Sequence, residues 1–97
     1  MIQEYLDKVK ENVLTFLAEE EVSIALFGSV AIATDNYASD IDIAIIPKGK
    51  WNRWKLSELR DIIDNLNIPN NVDILDFSIV SDSFKKNALE TAIWWRK

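Results

Sequence analysis

Asp40 and Asp42 flank a single isoleucine at the head of the apolar run Ile41 to Ile46, ten residues after Gly28-Ser29. On a strand, residues two apart point to the same side, so the two carboxylates stand together on one face. Ile41, Ile43 and Ile45 take the other face and suit a core. Adjacent carboxylates at the start of a strand this apolar repel each other, and partial burial sharpens the repulsion. A divalent cation would turn that liability into a site. Gly28 follows the apolar run Val22 to Phe27, where the absence of a side chain lets backbone approach a ligand closely. Ser29 beside it offers a hydroxyl at the start of a helical turn, and with the backbone N–H groups it can hold phosphate oxygens. A third carboxylate, Asp73, sits second in the run VDILDF. If that run is a strand beside the Asp40–Asp42 strand, three carboxylates can hold two divalent cations about 3.5–4 Å apart, an arrangement used for in-line displacement at phosphorus.

The rest of the composition narrows the chemistry. The chain has 97 residues, no cysteine and no histidine. Cys/His zinc sites, disulfides, thiolate chemistry, imidazole bases and Ser-His-Asp triads are all excluded. A catalytic metal must sit on oxygen, which favours Mg²⁺ or Mn²⁺, and a carboxylate is the favoured general base. The net charge of −5 argues against direct binding to a nucleic-acid backbone. No apolar run is long enough to span a membrane, and Glu4, Asp7 and Glu11 interrupt the N-terminal pattern in a way no signal peptide would. The expected location is cytoplasmic. A chain of this length makes one domain over 1–97, too small to wall an active-site cleft on every side.

The elements that must position these residues follow from periodicity. An amphipathic helix is predicted over 2–19 from Ile2, Leu6, Val9, Val13 and Phe16. Glu19-Glu20-Glu21 reads as solvated charge at its end. Val22 to Phe27 reads as a strand covered on both faces, Val30 to Ala33 as one helical turn, and Thr34 to Ser39 as loop. Asp40 to Ile46 is the second strand, stopped by Pro47 and Gly49. Trp54 to Leu66 is an amphipathic helix, Val72 to Phe77 a third strand, and Ser81 the N-cap of a last helix reaching about Ala92. The order αβ(α)βαβα predicts an α/β fold with a small sheet flanked by helices. Asp76, on the opposite face of the third strand from Asp73, reads as a surface carboxylate at an edge. Trp51, Arg53 and Trp54 could stack on a nucleobase, contact a partner, or form a flap over the core. Trp94 and Trp95 either dock on the core or meet another chain.

Gly28-Ser29, the ten-residue interval, Asp40-x-Asp42 and the later Asp73 together resemble the nucleotidyltransferase superfamily that includes DNA polymerase beta. The length and the VDILDF segment look like its minimal members. The resemblance implies a small mixed β-sheet flanked by helices, the palm-like fold of that superfamily. It implies that Gly28 and Ser29 grip a triphosphate, that Asp40 and Asp42 bind both metals, and that Asp73 binds the metal that activates the attacking hydroxyl. It also implies a partner, since minimal members commonly accompany a HEPN-domain protein. In such pairs the HEPN protein is a toxic ribonuclease, and the nucleotidyltransferase is the antitoxin, often transferring AMP from ATP onto a tyrosine.

The family pattern continues after Gly-Ser with Ala-Arg-Gly. Here Ala31 matches, while Ile32 and Ala33 replace the arginine and glycine, removing a cation near the phosphates. Two classes of function therefore stand: a Mg²⁺-dependent protein adenylyltransferase, or a stoichiometric antitoxin that masks its HEPN-type partner without chemistry. Transfer to a small molecule such as an aminoglycoside is a third reading, but those enzymes usually carry a further substrate-binding domain.

Overall fold

In the computed structural model, residues 2–32 and 40–97 are described, Ile2, Ser29 and Ile32 as backbone; the predicted loop 34–39 and Ala33 lie outside them. The elements run α1 (Ile2–Phe16), β1 (Val22–Phe27), α2 (Ser29–Ile32), β2 (Ile41–Pro47), α3 (Lys55–Asp64), β3 (Val72–Asp76), α4 (Asp82–Glu90) and β4 (Ile93–Arg96). The strands form one mixed sheet in the order β3-β2-β1-β4. β1 runs antiparallel to both β2 and β4, while β2 and β3 are parallel and joined through α3. That joint is a βαβ crossover, which a parallel pair requires.

Strand alternation sorts the side chains into two layers. Ile24 and Leu26 of β1, Ile41, Ile43 and Ile45 of β2, and Ile74 of β3 join Leu6, Val9, Val13 and Leu17, together with Leu56, Leu59 and Ile63 of α3, in the main core. Every residue of β1 is buried, Ser23 included, as its nearly continuous apolar run predicts. The opposite face is thinner. Ala25, Phe27, Ala44 and Phe77 form a second cluster against Ala88, Leu89 and Ala92. Ser81 caps α4 by accepting from the Phe84 backbone N–H at 3.2 Å, as its residue type predicts.

The structure departs from the sequence reading in three places. The last residues form a fourth strand, β4, whose Ile93, Trp94 and Arg96 are in register with Leu26, Ala25 and Ile24 of β1. Asp76 is 3% exposed, not a surface carboxylate. It accepts from the Trp51 indole N–H (3.1 Å) and from the Ser78 backbone N–H and hydroxyl (2.8 and 2.6 Å), and it pairs with Arg53 at 3.5 Å. This network pins the β2–α3 connection to the far end of β3, so Trp51 is the flap over the core rather than a stacking group. Glu20 and Glu21 are not simply solvated either. Glu20 accepts from the Asn52 backbone N–H (3.0 Å) and Lys55 (3.2 Å), Glu21 accepts from the Lys50 N–H, and the Asn52 and Lys55 contacts hold the Glu20 carboxyl below its ordinary pKa.

Arg96 has a role that the sequence reading did not address. Its guanidinium donates to the carbonyls of Leu17 (3.0 Å), Glu20 (2.5 Å) and Val22 (2.9 Å), closing the α1–β1 connection. The two tryptophans beside it differ in burial. Trp95 packs against the main core, and Trp94 stays 37% exposed.

Candidate active site

β2 and β3 begin at the same end of the sheet because they are parallel, and Asp42 is in register with Asp73. On its other side Asp42 faces Phe27, the last residue of β1, so Gly28 follows directly beside it. Alternation puts Asp42 and Asp73 on the face carrying Phe27, Ala44 and Phe77, opposite the main core. Asp40 lies two residues before Asp42, just outside the strand, and is exposed. The fold therefore brings Gly28, Asp40, Asp42 and Asp73 to one end of one face. Ser29 opens α2 immediately after Gly28, and the Ala31 N–H donates to the Gly28 carbonyl at 3.2 Å.

Gly28 meets two demands at once. Its φ is +79°, in the region that side chains disfavour. A Cβ there would lie 2.3 Å from the Asp42 Oδ2 and 3.2 Å from its carboxyl carbon. The backbone and the carboxylate thus occupy space that any other residue would claim. The same device recurs at Gly49, where a Cβ would lie 2.5 Å from Glu21 Oε2.

The Asp42 carboxyl is raised above its ordinary pKa by its burial first, then by the charges of Asp73 and Asp40. Burial disfavours the charged form, and like charges gathered at one end of the face add to it. The donor set is all oxygen, without His or Cys, and suits Mg²⁺ or Mn²⁺. Among the described residues no three acidic side chains are drawn together as a ready-made ion cage. Asp42 and Asp73 are neighbours in register, with Asp40 at the rim.

Two clefts flank the carboxylates. One, of about 370 Å³, is polar and acidic, lined by Asp40, Asp64, Asp73, Asn70 and Asn71 with apolar residues between them. The other, also about 370 Å³, lies beside Gly28 under α4. Trp51 and Arg53, by contrast, are tied to Asp76 in line with Ile45, roughly 10 Å along the strands from Asp42 and Asp73.

The polymerase beta nucleotidyltransferase family model matches residues 9–94. The chain belongs to that family. No curated protein matches it. Among solved structures, the fold resembles a chain of the tri-AMPylated Shewanella oneidensis HEPN toxin in complex with MNT antitoxin, at TM-score 0.63 and 18% identity, over 92% of this chain and 70% of that one. It also resembles a chain of the toxin–antitoxin pair MntA–HepT, at TM-score 0.61 and 16% identity, with the same coverages. A mutant of a toxin–antitoxin complex named MntA–HpeT gives TM-score 0.65 and 19% identity, over 89% of this chain and 70% of that one. At these identities the likeness is one of fold. Among the described residues, no helix is long and apolar enough to cross a membrane.

Proposed function

We propose that this nucleotidyltransferase-family domain moves AMP from ATP to a hydroxyl of a HEPN-type partner, a tyrosine, and so acts as its antitoxin. The observation that carries the reading is the packing of Gly28 backbone against the Asp42 carboxylate, with Asp73 in register on the adjacent strand. That is the juxtaposition phosphoryl transfer needs: a phosphate-approachable backbone next to paired acidic ligands. The tri-AMPylated HEPN toxin in complex with an MNT antitoxin, whose fold this chain resembles, supports both the acceptor class and the partner.

Asp40, Asp42 and Asp73 would hold the Mg²⁺ or Mn²⁺. When bound, the metal supplies charge neutralisation at the phosphates and a more acidic attacking hydroxyl. Gly28 and Ser29 take the triphosphate through backbone N–H groups and a hydroxyl. Asp73 would help accept the proton of the incoming hydroxyl, a carboxylate acting as the general base. Positioning by rigid strands contributes much of the rate.

The second reading, a stoichiometric antitoxin without chemistry, rests on Ile32 and Ala33 in place of the family's Arg and Gly. One experiment separates the two. The protein is combined with its HEPN partner, ATP and Mg²⁺, and intact masses are recorded. Wild type should add the mass of AMP to the partner, and Asp42→Asn should lower the yield at least a hundredfold. A stable complex whose partner mass never changes would establish the stoichiometric reading instead.

A further inference from the structure

Phe84, Asn87 and Ala88 of α4 and its C-cap Thr91 follow the spacing that aligns side chains along one helix face, at the border between the sheet-packed side and solvent. Together with Phe27 and Gly28 these residues line the second cleft. No lining residue is charged. Phe84 packs edge-to-face on Phe27 and Phe77, with ring centroids 6.2 and 5.8 Å apart. Those contacts fix the ring, yet it remains 42% exposed. A large aromatic held rigid with an open flank, beside a glycine that adjoins a carboxylate cluster, is a surface made for a flat apolar group.

We propose that this slot takes the base and ribose of the nucleotide whose phosphates lie at Gly28, an assignment that rests on the nucleotidyltransferase reading above. Continuity is the first argument. Gly28 both lines the slot and touches Asp42, so a nucleotide with phosphates there has its nucleoside within reach of Phe84. Charge is the second. The alternative cleft is lined by Asp40, Asp64 and Asp73, whose carboxylates an uncharged base and ribose would have to desolvate, whereas the slot has no charged lining residue. Chemistry is the third. Phe84 offers a stacking flank, which tolerates any base, and the Asn87 amide offers both a donor and acceptors, which any base edge can use. The slot therefore recognises a nucleoside while discriminating weakly among bases.

The test is calorimetry in Mn²⁺ with two probes, ATP and inorganic tripolyphosphate, on wild type, Phe84→Ala and Thr91→Trp. Thr91 is exposed and outside the aromatic trio, so a tryptophan there fills the slot without unpacking it. Both variants should bind ATP about tenfold more weakly, the scale of one lost base stack, with tripolyphosphate affinity unchanged. If Phe84→Ala does not fold by circular dichroism, Thr91→Trp decides. Equal ATP affinity in wild type and variants overturns the slot and leaves the transferase reading standing. So does a parallel loss of both probes, or a variant that loses only its protein partner. A wild type that binds neither probe ends the transferase reading and the slot with it.

Discussion

Two carboxylates on opposite faces of the sheet, Asp76 at the end of β3 and Asp42 near the start of β2, show how environment sets a residue's role. At Asp76, burial alone would raise the pKa, but the hydrogen bonds from Ser78 and Trp51 and the charge of Arg53 outweigh it and hold the carboxyl below its ordinary value. Among the described residues no such donor offsets the burial of Asp42, and burial with two like charges raises it. The signs for stability are opposite. For a depressed carboxyl the stabilisation is complete above the unfolded pKa, about 3.9, and fades as pH falls through the folded value. For a raised one, the cost begins as pH climbs through that same unfolded value and is complete above the folded one. In metal-free buffer, Asp76→Asn should therefore destabilise at neutral pH by about 1–3 kcal/mol, and the gap to wild type should shrink in acid. Asp42→Asn should gain on wild type at neutral pH and gain nothing in acid. Thermal melts across pH 3 to 7, each read relative to wild type at about unit steps, check both; gaps that do not vary with pH would contradict the assignment. The Asp40-x-Asp42 motif was legible in sequence because alternation alone places both carboxylates. The Asp76 network was not, since its partners Trp51 and Arg53 lie across a crossover that no local pattern encodes.

At the scale of elements, helices and central strands announced themselves by period and by apolar runs, and Ser81 announced the start of α4. β4 did not, because four residues give too short a window for alternation and Trp-Trp reads equally as core or interface. What fixes β4 is partly Arg96, through carbonyls that follow the last full turn of α1. Helix ends leave such carbonyls without helical partners, and a guanidinium is well shaped to collect several. Arg96→Ala should cost about 2–3 kcal/mol, from the lost charged hydrogen bonds and the carbonyls left half-buried. Arg96→Lys should recover only part of this, since an ammonium cannot span three carbonyls in the same way. Urea denaturation of the three proteins measures the order; Lys matching wild type would show that charge alone is at work.

For the whole molecule, the two sheet faces are unequal. One is sealed by α1 and α3, while the other is covered by α4 over a small cluster and leaves the carboxylate end open. In the reading proposed above, a domain this small gives one face to stability and the other to chemistry. The tryptophans follow the same division. Trp95→Ala should destabilise by about 2–4 kcal/mol as a partly buried core truncation. Trp94→Ala should stay within about 0.5 kcal/mol of wild type, as surface changes do. Thermal denaturation distinguishes them, and similar losses at both positions would contradict the division. A combined Trp94/Trp95 substitution would confuse unfolding with lost association, so only Trp94 probes a partner surface.

The Arg96 clamp also sets an order of events. Arg96 and the Val22 carbonyl that it grips are 74 residues apart in sequence. A chain emerging from the ribosome presents β1 long before β4 exists, so the outer edge of its most apolar strand waits unpaired while the rest of the sheet is synthesised. Open apolar edges are where nascent chains mispair. Among the sheet's pairings, that of β1 with β4 spans the greatest separation and pays the largest loop-closure entropy. A chain interrupted before Ile93 would keep α1 through α4 and every residue of the carboxylate site, yet carry its longest buried strand as a sticky edge. Such fragments should be lost to aggregation or proteolysis rather than accumulate as domains with the site intact.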